Sequence, residues 1–399
     1  MDKASASLEG TAIYDCLVVG GGPCGLTVAR KVAEKGFSVA VVEEHGEIGL
    51  PLHCAGLVSC YGARELGIPS HCILNRVRGA RIYSPGVEVL EVCREEDVAV
   101  VVDRERLDKY FAKLAERCGA QIFLGCKIED LAVKEATVSC LAAQGETLEA
   151  RVVADAEGAV SRAAERFLGK AVAKEVLPGF QVEVEAAVDD DFVEVYLGEK
   201  WAPRFFAWLI PCGGGVARVG LACEGDTRQF LGKLLEKHPV VRRHRLGKVL
   251  KSFGGFVVVG GPLKRTVFER IILVGDAGGF VKPTTGGGLV YGVLTSKMAG
   301  EVIAGFLEGV SKLEDFEQLW RQSYEQEFKE MKRLRRILVS LSDKELNKVL
   351  HYIIEERLAE WISRTGDMDF QAKLISTLLR RPRLSLLLAK AVLKGALPF

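Results

Sequence analysis

Short apolar runs alternate with Gly-rich turns and helical stretches in the first 45 residues of the chain. Residues 13–19 form an apolar run typical of a buried parallel strand, and residues 38–42 form a second run. Between them, residues 26–35 have the composition of a helix that ends at Gly36. This order predicts a strand, a helix and a second strand joined in one βαβ unit.

The turn between the first strand and the helix fits the pattern Gly-x-Gly-x-x-Gly at Gly20, Gly22 and Gly25. Gly20 allows a tight turn, Gly22 lets the backbone approach a pyrophosphate, and Gly25 lets helix and strand pack closely. Glu43 ends the second strand, where a carboxylate can accept hydrogen bonds from a ribose diol. A register shift of one residue would put Glu44 there instead. Together these features predict a dinucleotide site.

A second segment of this kind lies far downstream. The apolar strand 270–274 runs into an acidic turn at Asp276, and a Gly-rich loop from Pro283 leads to a helix at 289–306. The Asp276 carboxylate can hold polyol hydroxyls, and the amides of residues 286–288 can face an electron-rich ring edge. The presence of both segments in one chain favours a cofactor site over two unrelated turns.

The rest of the chain has sheet-like and then helical patterns. Residues 80–92 and 178–223 contain strands separated by polar turns. From Glu314 onward the pattern is helical, with apolar residues at three- and four-residue steps: Phe316, Leu319, Trp320, Tyr324 and Phe328. Residues 384–397 predict an amphipathic helix that packs on the body of the protein or lies on a membrane surface.

Composition narrows the class of protein. The 399 residues include 54 Lys and Arg against 53 Asp and Glu, which argues against a nucleic-acid binder that acts through bulk charge. No apolar stretch approaches the roughly 18 residues of a membrane span, and the first ten residues lack an apolar signal core. We therefore expect a cytoplasmic protein. The 11 cysteines lack metal-ligand spacing, so we expect no metal site and mostly buried thiols.

The two Gly-rich segments resemble the FAD-binding fold of the p-hydroxybenzoate hydroxylase class. In that class the first segment holds the adenosine diphosphate, the Asp of the second holds the ribityl chain, and the following loop flanks the isoalloxazine. Residues 102–108 resemble the segment whose Arg, here Arg104, contacts the flavin side. Residues 156–161 resemble a third motif in which Glu157 replaces the usual Asp. Either Asp155 compensates for this replacement, or the segment braces the fold.

Further segments resemble the geranylgeranyl reductase family within this class. Residues 203–211 with 219–220 resemble its aromatic signature, although Phe206 replaces the usual Tyr and Ile210 the usual Phe. Residues 48–56 resemble the Cys-containing loop of the family. Similarity to the archaeal branch lies at residues 79–83, 341–343 and 346–348.

This resemblance implies an α/β fold: a Rossmann-like FAD-binding domain interleaved with an antiparallel-sheet substrate domain, plus a helical C-terminal region. The expected boundaries are residues 10–79, 98–175 and 263–310 for the FAD-binding domain, 80–97 and 176–262 for the substrate domain, and 311–399 for the helical region.

The implied activity is FAD-dependent reduction of carbon–carbon double bonds in the geranylgeranyl chains of archaeal ether-lipid precursors, by hydride transfer from the reduced flavin. Cys54, His53 or a water near residues 286–288 are candidate proton donors. The electron donor is NAD(P)H or a reduced ferredoxin, and the enzyme is cytoplasmic, with or without contact to the inner face of the cell membrane. The implied FAD-binding residues are Gly20, Gly22, Gly25, Glu43, Cys54, Ala55, Gly56, Arg104, Asp276, Pro283, Gly286, Gly287, Gly288 and Leu289. The implied substrate residues are Phe206, Trp208, Ile210 and Pro211.

Alternatives stay open at this point. A flavin monooxygenase acting on aromatic compounds, or an electron-transfer flavoprotein that reduces quinone, would share the FAD motifs. Without the resemblance, the aromatic strand around Trp208 indicates a core, Cys54 a packing thiol and His53 a solvated loop residue. Residues 189–191 are three consecutive carboxylates that point different ways, which indicates a turn and not a metal site.

Overall fold

The structure, a computed structural model, describes residues 13–172 and 174–388. Its strands are, in chain order, β1 (Ile13–Val19), β2 (Val39–Glu43), β3 (Leu57–Ser59), β4 (Ile73–Val77), β5 (Gly79–Tyr83), β6 (Val89–Cys93), β7 (Ala99–Val102), β8 (Gln121–Leu124), β9 (Ile128–Val133), β10 (Val138–Ala142), β11 (Thr147–Asp155), β12 (Val176–Glu185), β13 (Phe192–Leu197), β14 (Phe206–Gly213), β15 (Val216–Ala222), β16 (Val249–Val258), β17 (Val267–Phe268) and β18 (Ile271–Leu273). Its helices are α1 (Pro23–Ala33), α2 (Cys60–Glu65), α3 (Arg104–Arg117), α4 (Arg162–Leu168), α5 (Thr227–Lys237), α6 (Leu289–Leu307), α7 (Asp315–Ser340), α8 (Asp343–Glu355), α9 (Leu358–Thr365), α10 (Ala372–Leu379) and α11 (Pro382–Leu387).

The first sheet has a parallel centre, in the strand order β18–β11–β1–β2–β8. β1 and β2 are apolar on both sides because both faces are covered. α1, α3 and α6 pack on one face, and α4 with the β9–β10 hairpin packs on the other. The carboxyl ends of these parallel strands meet at one edge, where Val19 pairs with both Val42 and Asp155. The two Gly-rich turns follow β1 and β18 at this edge.

The second sheet has seven strands in the order β16–β12–β15–β14–β13–β5–β6, with α5 on one face. The predicted fold class is confirmed, but the sheet is not wholly antiparallel, because β13 and β5 run parallel. These two strands lie far apart in the chain, so no hairpin fixes their relative direction. The small sheet β3–β7–β4 packs against the seven-stranded sheet through Val101 and Ile210.

The C-terminal helices close the molecule. Phe316, Trp320 and Phe328 of α7 are buried and contact Phe280. The expectation that Leu319 shares this stripe is wrong, because its side chain is 41% exposed. At about 100° per residue, position 319 falls outside the arc spanned by the other three side chains.

The last helices form the end of the described chain. Ser342 caps the N-terminus of α8 in a capping box, in which Ser342 and Glu345 each bond the other's backbone N–H. α11 covers the beginning of the predicted helix 384–397, and residues from 389 onward lie outside the described residues. Leu384 is buried, whereas Leu386 is 79% exposed.

One described helix, α6, is long and apolar enough to cross a membrane by length and composition, with a mean hydropathy of 1.2. Within the protein 72% of its apolar window is buried, and the helix packs against α1 and α7. α6 is therefore a central core helix of this fold. All eleven cysteines are free thiols.

Candidate active site

The first Gly-rich turn joins β1 to α1. Gly20 has a φ of +109°, and a Cβ at that position would lie 2.3 Å from Ala156 O. Gly25 packs so closely that a Cβ would lie 2.1 Å from Gly20 O. A Cβ at Gly22 would meet nothing within 4 Å, at the N-terminus of α1. Packing thus requires two of these glycines, whereas Gly22 borders open space where helix N–H groups favour an anion.

Glu43 points from the end of β2 back to this turn. Its Oε2 accepts a hydrogen bond from Gly21 N at 2.7 Å, and its Oε1 accepts one from His45 N at 2.9 Å. The Glu43 side chain is 13% exposed, whereas Glu44 is exposed. Glu43 is therefore the residue directed to the turn. The His45 ring also contacts Glu43 Oε1 at 2.6 Å, so three of the about four lone-pair sites of the carboxylate are used and one is left for a hydroxyl donor.

Asp276 follows β18 in the second turn. Its carboxylate makes no hydrogen bond with the other described residues, and burial raises its pKa against the opposing charge of Arg104. A Cβ at Gly288 would lie 2.7 Å from Asp276 Oδ1, and a Cβ at Gly275 would lie 2.7 Å from Cys24 Sγ in the first turn. The two turns are thus in contact, with a carboxylate beside them that hydroxyl donors could satisfy.

The Gly-rich loop before α6 contacts the seven-stranded sheet. Gly286 has a φ of +70°, and a Cβ there would lie 2.4 Å from Val257 Cγ1 and 3.4 Å from the Phe205 ring. Pro283 is buried, whereas residues 286–289 are partly exposed. The loop therefore lies between the parallel sheet and the aromatic segment that opens β14.

Arg104, Asp108 and Cys54 form a compact group beside this loop. Arg104 Nε and one terminal nitrogen donate to the two Asp108 oxygens at 3.1 and 3.0 Å. Burial disfavours the charged form of the Arg104 guanidinium, but the charge of Asp108 outweighs this effect. Arg104 also interacts with the Cys54 group, so the pKa of Arg104 lies above its usual value. Burial raises the pKa of Asp108 against the charge of Arg104. Arg104 thus stays cationic next to a partly exposed thiol.

Arg218 holds the loop that carries Cys54, a role that the sequence did not reveal. Its guanidinium donates to Ala55 O at 2.8 Å and Val102 O at 3.2 Å, and its Nε contacts Glu183 at 3.2 Å. The side chain is 6% exposed. Gly56, with a φ of +78°, packs against this guanidinium. The sequence could have indicated Arg218 only as an Arg within an apolar strand. Its contacts to residues 55 and 102 depend on the tertiary structure.

His53 is exposed at the outer end of the same loop. Its Nδ1 donates to Gly254 O of β16 at 2.8 Å. Near it, a cavity of about 130 Å³ is lined by Leu52, Cys54, Leu74, Asp103, Arg104, Glu105, Glu183, Arg218, Lys251 and Phe253. This cavity brings the Cys54 loop, α3 and the edge strand β16 together.

The four residues predicted to contact substrate do not share one environment. Phe206 and Trp208 are partly exposed, with ring centroids 6.1 Å apart, and Phe206 stacks on Phe205 at 4.2 Å. Ile210 and Pro211 are buried, and Ile210 belongs to the core between the sheets. Phe205, just before the strand, therefore lies next to the Gly-rich loop with the Phe206 ring stacked on it, whereas the later residues of the strand are used for packing.

The third motif contributes a buried acidic pair at the end of β11. Asp155 Oδ1 accepts from Glu157 N at 2.9 Å, while its Oδ2 is buried without a hydrogen-bond partner. Glu157 accepts from Ala163 N at 3.1 Å at the start of α4. Burial raises the pKa of both carboxyls, and the Asp155 charge raises that of Glu157 further. Lys174 is the nearby cation, and its Nζ donates to Ser161 Oγ at 3.0 Å.

The residues around the turns fit FAD, the cofactor that the resemblance implies. The open space at Gly22 suits a pyrophosphate, the Glu43 carboxylate suits a ribose diol, and Asp276 suits a polyol chain. Among the described residues, no group of three His, Cys, Asp or Glu side chains is placed to hold a metal ion. Residues 189–191 instead pair with arginines, Asp189 with Arg81 and Asp191 with Arg78.

Comparison with known proteins places these features in a wider group. Residues 15–195 match the lycopene cyclase protein family. The chain is 34% identical to the digeranylgeranylglycerophospholipid reductase of Methanothrix thermoacetophila, covering 87% of this chain and 93% of that protein. It is also 34% identical to an uncharacterized protein of Methanocaldococcus jannaschii, covering 90% and 93%. The solved structure of a geranylgeranyl bacteriochlorophyll reductase-like protein from Thermoplasma acidophilum superposes with a TM-score of 0.83, at 26% identity, over 96% of this chain and 100% of that one.

Proposed function

Because the chain belongs to the digeranylgeranylglycerophospholipid reductase family, we propose that it is an FAD-dependent oxidoreductase that saturates double bonds of geranylgeranyl chains in archaeal ether-lipid precursors. The observation that carries the proposal is the contact between the Gly-rich loop and the aromatic segment, where Gly286 packs against Phe205 and Val257. This contact joins the proposed cofactor turns to the aromatic start of β14, where we propose that the lipid chain is held next to the flavin.

The proposed FAD site combines both turns with the Cys54 loop. Its members are Gly20, Gly22, Gly25 and Glu43 for the adenosine diphosphate, Asp276 and residues 283–289 for the ribityl chain and ring, and Arg104 with residues 54–56 beside the ring. Two of these groups support the assignment because the described residues use neither the free space at Gly22 nor the Asp276 carboxylate. Glu43 supports it because its carboxylate is directed at the first turn.

FAD in its reduced state supplies the hydride, which no side chain can deliver to an isolated alkene. The protein must hold the apolar chain, exclude water and provide the second hydrogen as a proton. Cys54 is the proposed proton source, because its thiol is partly exposed at the cavity beside Arg104. His53 is the second candidate: its Nδ1–H donates to Gly254 O, and its Nε2, which bonds none of the described residues, would carry the transferable proton in the imidazolium form.

Phe206 and Trp208 are proposed to contact the isoprenoid chain, because their rings are partly exposed and Phe206 stacks on Phe205, which lies next to the Gly-rich loop. Ile210 and Pro211 support this surface from the core. The Phe206 ring lacks the hydroxyl of the usual Tyr, so the contact is apolar only.

The electron donor is proposed to be NAD(P)H that docks transiently or a reduced ferredoxin. Within the sequence, the triplet at residues 213–215 lacks the strand and helix that a second dinucleotide site would need. In the structure, Gly213 ends β14 and residues 214–215 turn the chain into β15. This hairpin supports the view that the triplet is not a second dinucleotide site.

The decisive experiment is mass spectrometry of a geranylgeranyl phospholipid after incubation with chemically reduced enzyme. We expect successive gains of two hydrogens per double bond, with oxidation of one equivalent of reduced enzyme for each gain. Enzyme without reductant is the control. A product that contains an added oxygen when air is admitted, or an unchanged lipid with fully reduced enzyme, would overturn the proposal.

A further inference from the structure

The chain is nearly neutral as a whole, but one segment is not. Residues 237–256 contain six Lys or Arg and no Asp or Glu: Lys237, Arg242, Arg243, Arg245, Lys248 and Lys251. The whole protein has 54 basic and 53 acidic residues, so this stretch is a strong local departure. A local excess of one sign on a surface indicates a partner of the opposite sign.

All six cations are exposed, and none forms an ion pair within the part of the chain that the structure describes. Many cations elsewhere are paired, as Arg81 is with Glu91 and Asp189. Three carboxylates lie beside the segment and each is engaged elsewhere or by its backbone: Glu185 accepts from Lys248 N, Glu194 contacts His244, and Glu183, opposite Lys251 on β12, pairs with Arg218. The positive charge of the segment is therefore not neutralised by its own protein.

Apolar side chains are exposed near the last two of these cations, Lys248 and Lys251. Val249 is 50% exposed, Leu250 43% and Phe256 53%. All three lie on β16, the edge strand of the seven-stranded sheet, which pairs only with β12 among the described strands. We call these three residues and the six cations the basic edge surface. Apolar side chains interleaved with cations are typical of segments that rest in a membrane interface.

The basic edge surface is continuous with the candidate active site. Lys251 and Phe253 of the same strand line the cavity that contains Cys54. His53 bonds Gly254 O, and a Cβ at Gly255 would lie 3.2 Å from its ring. The strand thus connects the exposed surface to the loop where the alkene is proposed to react.

We propose that the basic edge surface docks on an anionic lipid bilayer, with Leu250 and Phe256 inserted among the headgroups and the cations facing lipid phosphates. The inference rests on the proposed function, since it explains how a bilayer phospholipid reaches a site buried in a protein. A bilayer is favoured over an acidic protein because the exposed apolar side chains lie on the same edge strand as Lys251, next to Lys248, and that strand also lines the cavity of the proposed lipid site. Each cation near such a surface adds about fivefold to partitioning.

The test is co-sedimentation of the full-length, FAD-loaded protein with phosphatidylcholine vesicles that contain or lack phosphatidylglycerol. We expect binding to the anionic vesicles only, weakened by salt. R242E/R243E should lower the partition coefficient at least about tenfold. L250S/F256S should lower binding that persists at high salt, because it removes the apolar part.

The matched control is K113E/R117E on the exposed face of α3, which changes the net charge equally and involves no ion pair among the described residues. It should bind as the wild type does. Equal loss in both charge-reversal variants, or equal binding of wild type to both kinds of vesicle, would overturn the proposal. The proposal would also be overturned if R242E/R243E bound vesicles normally but accepted electrons more slowly from an acidic ferredoxin. That result would assign the surface to a protein partner.

A second assay separates this inference from the proposed function. Reduction of a geranylgeranyl lipid dispersed in neutral detergent should be within about twofold of wild type in R242E/R243E, because docking is bypassed. Vesicle binding without any lipid reduction would leave docking intact and reject the function. Lipid reduction without selective binding to anionic vesicles would support the proposed function and reject the docking proposal.

Discussion

Lys282 Nζ lies 2.8 Å from Asp369 Oδ1, and this ion pair ties the Gly-rich loop before α6 to the segment between α9 and α10. Lys282 is 8% exposed and Asp369 1%, so both charges are removed from water. Asp369 also accepts from Ser59 Oγ, and Lys282 also donates to Met368 O at 2.9 Å. The C-terminal region thereby fixes the conformation of a loop that is proposed to hold FAD.

Removing one partner of this pair should be far worse than removing both charges. K282M leaves a buried carboxylate without its counter-ion, which typically costs about 3–5 kcal/mol, and we expect a lower Tm and weaker FAD binding. K282M/D369N should recover much of both losses. Thermal unfolding and FAD titration measure them, with R364M at the exposed Arg364–Glu360 pair as a control expected to cost under about 1 kcal/mol. Strictly additive losses in the double variant would contradict the ion-pair account.

Substitutions at Gly22 and Gly25 should have different effects, the first on FAD binding and the second on folding. A side chain at Gly22 enters open space, so G22V should fold normally but lose FAD binding, because it occupies the proposed pyrophosphate position. A side chain at Gly25 collides with Gly20 O, so G25V should lower the Tm or prevent folding. Circular dichroism and the bound flavin absorbance separate the two results. Normal FAD affinity in folded G22V would reject the assignment of this turn.

Cys54 is proposed to protonate the carbon that does not receive the hydride. C54A should bind FAD but slow single-turnover oxidation of the reduced enzyme by lipid on the order of a hundredfold, the usual loss for a general acid. C54S should lose less, because a hydroxyl retains a proton. C118A, another partly exposed thiol, is the matched control. A wild-type rate in C54A would leave Cys54 a packing residue and direct the same measurement to H53A.

The acidic pair should make stability fall with rising pH. Folding raises the pKa of Asp155 and Glu157, so the folded protein keeps protons that the unfolded chain has already released. Their contribution is complete in acid below the unfolded pKa and is lost as the pH rises through the folded pKa. The Tm of E157Q relative to that of the wild type should therefore rise by roughly 2 °C or more as the pH is raised from about 5 to about 9. E116Q, on the exposed side of α3, should show no such trend, and a pH-independent difference for E157Q would contradict the raised pKa.

Local patterns in the sequence were enough to predict several elements well. β1 begins and ends at the predicted residues, Ile13 and Val19. α6 begins at Leu289, as the Gly-rich loop before it indicated. These elements depend on side-chain period, glycine placement and capping within a few residues, so their information is contained in short stretches of chain.

The choice between Glu43 and Glu44 shows where that information ends. Sequence alternation favoured Glu43, but only the packing of β2 beside the turn directs its carboxylate to Gly21 N. In the same way, the period of α7 suggested Leu319 for the core, and tertiary packing left it exposed. Small differences in helix phase or strand register decide such cases.

By itself, therefore, the sequence determined the two cofactor turns, the fold class and the family resemblance. Only the tertiary structure decided that Arg218 holds Ala55, that Lys282 pairs with Asp369, and that β5 runs parallel to β13. Each of these contacts joins residues more than about 80 positions apart. No local period encodes such a partner, because burial and hydrogen bonding choose it from every side chain that the folded core brings within reach.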